Sequence, residues 1–125
     1  MEQRLTLLMQ SKVISEHSYQ ATLKVLPVLV SRFGVNEENQ QYQMLVTHLA
    51  RAADRVLNNE QIEAGLDEET WLEIQQEEGF SELMVLNNKL LALYGIEAAN
   101  SAETSFLVSN LFSLQCATDS EAASC

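Results

Sequence analysis

Apolar side chains recur at spacings of three and four residues along most of the chain, which is the period of an amphipathic helix. In the clearest stretch, they fall within one arc of a helical wheel: Tyr42, Leu45, Val46, Leu49, Ala52, Ala53 and Val56. The chain of 125 residues has only one proline and four glycines to interrupt such patterns. Leucine, alanine, glutamate and glutamine are abundant, and they favour helices. The sequence therefore predicts an all-α protein.

Capping residues divide the chain into a compact bundle of about five long helices and one short helix. The predicted helices run from Met1 to about Ile14, from about Glu16 to Phe33, from the Asn36 cap to about Asn58, from Asp67 over a short stretch, from Phe80 to Tyr94, and onward from the Asn100 cap. Ser15 is the predicted N-cap of the second helix, and Gly34 is the glycine predicted to end it. Pro27 lies inside the second helix and is expected to kink or split it, because it lacks a backbone donor. The last helix is predicted to bury Phe106 with Leu107, Leu111 and Leu114.

The chain is long enough for one domain and too short for two. From Cys116 onward it becomes small and polar. Such composition is typical of a mobile terminus, so we expect one domain over residues 1–115 and a disordered tail over residues 116–125.

The formal net charge is -11, from 18 acidic and 7 basic side chains. A surface this negative repels phosphate backbones, which argues against nucleic-acid binding. It suits a basic protein partner, although acidic surfaces also serve only to keep proteins in solution. No signal-peptide pattern opens the sequence, and no apolar run approaches the roughly 20 residues of a membrane span. We expect a cytoplasmic protein.

His48 is the residue most suggestive of chemistry, and it lies at the edge of the apolar arc described above. Arg55 follows two helical turns later, displaced by only about 20° around the axis. In one interpretation, His48 is a packed border residue and Arg55 forms an ordinary ion pair, and spacing alone favours this. In the other, the imidazole is phosphorylated, and Arg55 or Arg51 pairs with the added negative charge.

The surrounding sequence resembles the phosphotransferase-system (PTS) regulation domain over roughly Leu7 to Leu114. The resemblance rests on Val13-Ile14-Ser15-Glu16, on Gly34, on Leu45, His48, Leu49, Ala52 and Arg55, and on the order and length of the helices. It implies an all-helical, typically dimeric regulatory module whose histidines are phosphorylated by HPr or by sugar-transport enzyme II components. It makes His48 the candidate phosphoacceptor.

A second motif of that family has a glutamate, an aromatic-leucine pair and then a histidine seven positions after the glutamate. It maps onto Glu103, Phe106, Leu107 and Asn110, so that an amide replaces the second acceptor. Asn110 could hydrogen-bond at that place but cannot carry a phosphoryl group. For Glu103 the sequence itself favours a capping-box role at the third position after Asn100.

Other activities find no support in the sequence. The Glu-x-x-His pairs of di-metal bundles are missing, because Leu45 and Ile14 stand three positions before the two histidines. No nucleophile or phosphate-loop motif occurs either, so we expect neither enzymatic activity nor a metal or other cofactor. The sequence supports two hypotheses about the function. The first is a stand-alone regulatory module phosphorylated on His48, and the second is a helical dimeric interaction or scaffold protein that is never phosphorylated.

Overall fold

The computed structural model describes the backbone of residues 1–123 and the side chains of residues 1–119. Within that part of the chain, all regular structure is helical, which confirms the all-α prediction. The six helices are α1 (Glu2–Gln10), α2 (Glu16–Phe33), α3 (Gln40–Leu57), α4 (Glu68–Gln75), α5 (Phe80–Ala92) and α6 (Ser101–Ala123).

Side-chain caps begin several of these helices where the sequence predicted them. The Ser15 hydroxyl accepts a hydrogen bond from the Ser18 amide (3.0 Å), and the Asp67 carboxylate accepts one from the Thr70 amide (3.0 Å). At the end of α2, Gly34 adopts a left-handed conformation (φ 62°). That conformation is costly for residues with a Cβ, so glycine ends this helix.

Two predicted boundaries were wrong by several residues. Helix α1 ends at Gln10 rather than near Ile14, because Lys12 turns to a positive φ of 61° and the Val13 amide bonds back to the Leu8 carbonyl. Asn36 does not cap α3. Its side chain closes a local turn by accepting from the Glu38 amide (2.8 Å), and Asn39 caps the helix instead.

Two predicted interruptions are absent from the described helices. Helix α2 runs continuously through Pro27 rather than splitting there. Helix α6 continues past Cys116 to Ala123 instead of giving way to a disordered tail, because the extension contains no glycine or proline to stop it. Residues 124 and 125 of the predicted tail lie outside the described residues.

Helix α3 packs against both α2 and α6, and α2 and α6 also contact each other. Helix α1 packs on α2, whereas α4 and α5 pack on α6. The connection before α4 approaches α6 very closely: a Cβ added at Gly65 would lie 2.7 Å from the Ser105 hydroxyl and 2.9 Å from Cα of Ala102. The contact between α3 and α6 brings the candidate site together.

Candidate functional site

The candidate site is formed by one stripe of α3 facing one stripe of α6. On α3, His48, Arg51 and Arg55 are spaced by three and four residues, so their side chains lie one above another on the helix surface. On α6, Glu103 and Asn110 are separated by the same seven positions as His48 and Arg55. The two helices meet so that each end of one stripe contacts an end of the other.

One end of the site is an ion pair between Arg55 and Glu103. Arg55 donates from Nε to Glu103 Oε2 and from Nη2 to Oε1, both at 2.8 Å. This two-point geometry matches the planar guanidinium to the carboxylate. The carboxylate raises the pKa of Arg55 above its ordinary value, mainly through these hydrogen bonds, against an opposing effect of burial.

The other end of the site joins His48 and Asn110. The amide nitrogen Nδ2 of Asn110 lies 3.3 Å from Nδ1 of the imidazole. The two family-like motifs, 62 residues apart in sequence at this contact, therefore meet in space. His48 therefore faces Asn110, the position at which the motif of the PTS regulation domain has its second histidine.

Burial differs sharply across the site. The Glu103 side chain is only 1% exposed, whereas Arg55 is 33% exposed. His48 and Arg51 are both exposed. The cleft has a volume of about 340 Å³, and its wall is completed by Ile62, Phe106 and Leu107. An incoming group can therefore reach the imidazole and Arg51 from solvent.

Arg51 is the cation of this cleft that is available to a ligand. Among the described side chains it forms no ion pair, whereas Arg55 is held by Glu103. Its position one turn from His48 follows from the three-residue spacing. An anionic group on the imidazole would thus meet a guanidinium without breaking an existing pair.

All five candidate residues line this one cleft: His48, Arg51, Arg55, Glu103 and Asn110. Two predictions about α6 need correction. Glu103 donates its amide to the Asn100 cap (2.8 Å), but its carboxylate binds Arg55 and completes no capping box, since Gln61 occupies the Asn100 amide. Phe106 is 39% exposed and lines the cleft rather than the core, because it lies beside the buried Leu107 at the edge of the stripe.

A cluster that the sequence did not predict stabilises the start of α2. Asp54 accepts hydrogen bonds from the Ser15 amide (2.8 Å), the Ser15 hydroxyl (2.5 Å) and the Ser18 hydroxyl (2.6 Å). Because these residues are 36 to 39 positions apart, no local pattern could have revealed the cluster. It fixes α3 against α2 and so holds the helix that carries His48.

The loop between α3 and α4 also supports the site. The Gln61 side chain accepts from the Asn100 amide (2.7 Å), and the Asn100 side chain donates to the Ile62 carbonyl (2.8 Å). The Ile62 amide lies 3.4 Å from Glu103 Oε2. These contacts close the loop over the first turn of α6 and help to exclude water from the Glu103 carboxylate.

The second histidine lies elsewhere on the molecule. His17 is exposed in the first turn of α2, as the sequence predicted, and its Nε2 donates to the Tyr94 carbonyl at 2.8 Å. Over the described residues, no group of three or more histidine, cysteine, aspartate or glutamate side chains could hold a metal ion. No helix within residues 1–123 is long and apolar enough to span a membrane.

Comparison with known proteins identifies one relative of similar length. No family model and no solved structure matches the chain. The chain is 31% identical over 121 residues to a protein of Escherichia coli (strain K12) named "Uncharacterized protein YhfY", and the match covers 97% of this chain and 99% of that protein. At that identity over nearly the whole of both proteins, the chain belongs to the same family as YhfY.

Proposed function

We propose that this protein is a stand-alone regulatory module resembling a PTS regulation domain, phosphorylated on His48 by HPr or an enzyme II component. The observation that carries the proposal is the cleft between α3 and α6. It presents an exposed imidazole one turn from Arg51, which forms no ion pair among the described side chains, and in the same cleft as Arg55, which Glu103 holds.

The charges of the cleft suit a phosphorylated imidazole. By analogy with other phosphorylated side chains, the modification adds about -1.5 to -2 charge at neutral pH. Guanidinium groups bind phosphate oxygens with paired hydrogen bonds. Arg51 supplies one such group directly, while the Arg55 guanidinium lines the same cleft with its charge balanced by Glu103. The whole chain has 7 basic side chains against 18 acidic ones, so sites at which two arginines lie near one histidine are rare in it.

The position of the cleft explains how phosphorylation would be transmitted. His48 contacts Asn110 across the interface between α3 and α6, and new charge there changes the preferred packing of two helices. The output is a protein–protein contact, because the net charge of -11 disfavours nucleic acid. We propose a separate regulator or transporter as the target, a homodimer as the assembly and the cytoplasm as the location. The process would be carbohydrate-related gene expression or transport.

The decisive experiment is intact mass spectrometry after incubation with phosphoenolpyruvate, enzyme I and HPr, with and without enzyme II components. We expect an acid-labile gain of one phosphate in the wild type and in His17→Ala, and none in His48→Ala. The His17 variant is the matched control, since it removes the other histidine of the chain. Persistent labelling of His48→Ala would show that the site is wrong.

One observation favours a second function: Asn110 stands where the motif of the PTS regulation domain has a histidine. Under this alternative, the protein is a helical dimeric interaction or scaffold protein, and His48 serves only to pack against Asn110. It predicts no mass gain with any PTS donor and an identical oligomeric state in wild type and His48→Gln. Analytical ultracentrifugation of both proteins, with and without donors, distinguishes the two functions.

A further inference from the structure

The two histidines of this chain expose opposite ring nitrogens. At His48, the side chain of Asn110 covers Nδ1 at 3.3 Å, whereas Nε2 has no hydrogen-bond partner among the described residues. At His17, Nε2 faces the Tyr94 carbonyl at 2.8 Å, whereas Nδ1 has no hydrogen-bond partner among the described residues. A phosphoryl group forms its bond with a nitrogen that has a free lone pair, so the two residues should react at different atoms.

We infer that phosphorylation of His48 occurs at Nε2 and that Asn110 is the positioning residue that selects this nitrogen. Its biological meaning rests on the proposed function, whereas its chemistry can be tested without any protein donor. Asn110, which departs from the motif of the PTS regulation domain, then has a role of its own. An amide there does not replace a second acceptor; it orients the only acceptor in the cleft.

The Asn110 amide can cover Nδ1 in either tautomer of the imidazole. With its NH₂ group facing the ring, as in the 3.3 Å contact between Nδ2 and Nδ1, it donates to the lone pair of Nδ1, and the ring proton is on Nε2. After a half-turn of the amide, Oδ1 accepts from Nδ1–H, and the lone pair of Nε2 is free. The second arrangement is the reactive one, and in neither arrangement is Nδ1 available.

The transfer is balanced in this arrangement. The Nε2 lone pair attacks phosphorus, and the new N–P bond forms as the donor's N–P bond breaks. The electron pair of the broken bond leaves with the donor nitrogen. The proton stays on Nδ1, hydrogen-bonded to Oδ1 of Asn110, so that His48 becomes a phosphorylated imidazolium. Arg51 then lies one turn away from the new phosphoryl oxygens.

His17 provides a contrast within the same molecule. A carbonyl oxygen can only accept, so the contact with Tyr94 fixes the proton of His17 on Nε2. The lone pair of Nδ1 is therefore the only free one on that ring. Chemical phosphorylation of His17 should give the Nδ1 isomer first, opposite to the isomer expected at His48.

The test uses potassium phosphoramidate, which transfers a phosphoryl group to imidazoles and releases ammonia. The full chain is labelled with ¹⁵N, and ring ¹H–¹⁵N correlation spectra at early reaction times identify each isomer before the group migrates. His17→Gln leaves only His48 to react, and His48→Gln leaves only His17. We expect Nε2-phosphohistidine from the first protein and Nδ1-phosphohistidine from the second.

Substitution of Asn110, made in the His17→Gln background, tests the selecting role. Asn110→Ala uncovers Nδ1 and should lower the ratio of Nε2 to Nδ1 product by about two- to tenfold, the effect of one hydrogen bond. Asn110→Asp keeps an acceptor for Nδ1–H and should retain the Nε2 preference. Protein unfolded in concentrated urea should give the same isomer mixture at both histidines.

Nδ1 product from His48, or a ratio that Asn110→Ala leaves unchanged, would overturn the inference. So would an unreactive His48, since an uncovered Nε2 must be accessible to a small donor. Failure of HPr and enzyme II to label the protein would count against the proposed function alone, because phosphoramidate needs no protein donor. The two failures are therefore distinguishable.

Discussion

Two buried tyrosines show how strongly the fate of one hydroxyl depends on its surroundings. Tyr94 shares a hydrogen bond of 2.6 Å with Thr22 inside the core. Tyr42 is completely buried, yet its hydroxyl has no hydrogen-bond partner among the described residues. Burial and the nearby Glu37 carboxylate raise the pKa of Tyr42 from 10.0 to about 12. Tyr42 lies on the apolar stripe of α3 and Tyr94 in the turn after α5, and neither position shows in the sequence whether its hydroxyl finds a partner.

We predict opposite results for removal of the two hydroxyls. Tyr42→Phe should leave the free energy of unfolding unchanged or raise it by up to about 1 kcal/mol, because it removes a buried group without a partner. Tyr94→Phe should lower it by about 1 kcal/mol, because Thr22 loses its bond. Urea denaturation near pH 7 measures both. An equal loss in the two variants would show that the Tyr42 hydroxyl has a partner.

The Tyr42 hydroxyl should also make the free energy of unfolding depend on pH in the alkaline range. The folded pKa of Tyr42 is raised to about 12 from 10.0, so folding favours the neutral phenol. This contribution to stability is fully present below pH 10 and is lost as the pH rises from 10 toward 12. Tyr42→Phe should therefore lose less stability than the wild type over that interval, as measured by urea denaturation at several pH values. Identical losses would contradict the assignment.

At the scale of elements, the pair between Arg55 and Glu103 connects the last turn of α3 with the first turn of α6. A cation near a helix C-terminus and an anion near a helix N-terminus are each favoured by the helix dipoles. The carboxylate is almost fully buried, whereas the guanidinium is partly exposed. Removing the guanidinium alone leaves a buried charge without compensation, which costs more than the pair itself contributes.

We predict that Arg55→Met lowers the free energy of unfolding by about 2 to 3 kcal/mol, a value reduced for the partial exposure of Arg55. The double variant Arg55→Met/Glu103→Gln should be more stable than Arg55→Met alone, because the uncompensated charge is gone. Arg32→Met is the matched control. Its pair with Glu82 is longer (3.7 Å) and exposed on both sides, so its effect should stay within about 0.5 kcal/mol. The single variant Glu103→Gln completes a double-mutant cycle, and purely additive effects in that cycle would refute the coupling.

At the scale of the whole molecule, the net charge of -11 acts on stability through mutual repulsion of the surface carboxylates. Many of them lie on and around α4, where Glu68, Glu69, Glu73, Glu77 and Glu78 are all exposed. Added salt screens such repulsion over distances of about 10 Å at 0.1 M. The fold should therefore be more stable in moderate salt than in low salt.

We predict that the urea midpoint rises as sodium chloride is increased from about 0.01 to about 0.3 M, over which screening becomes strong. A variant with Glu77→Gln and Glu78→Gln should start from a higher midpoint in low salt and respond less. Both residues are exposed and lie outside the candidate site, so the control leaves the cleft intact. A midpoint that falls with salt would mean that favourable ion pairs outweigh repulsion.

The sequence by itself determined the helical class, four of the caps and the residues of the candidate site. Helical periodicity and capping are local properties, so Ser15, Gly34, Asp67 and Asn100 were recognised from their neighbours alone. Local rules also produced the errors at Asn36 and in the predicted tail. At Asn36, the side chain closes a local turn instead of capping α3. After Cys116, α6 continues as a polar helix, and no apolar stripe in the sequence indicated it.

Only the tertiary structure decided what those residues contact. The antiparallel register of α3 and α6 pairs His48 with Asn110 and Arg55 with Glu103, and it takes the Glu103 carboxylate away from the predicted capping box. It also exposes Phe106 and joins Asp54 to the start of α2. Each of these contacts spans 36 residues or more, or depends on which stripe faces a neighbour. Helical spacing gives the positions along one helix but not the register between two.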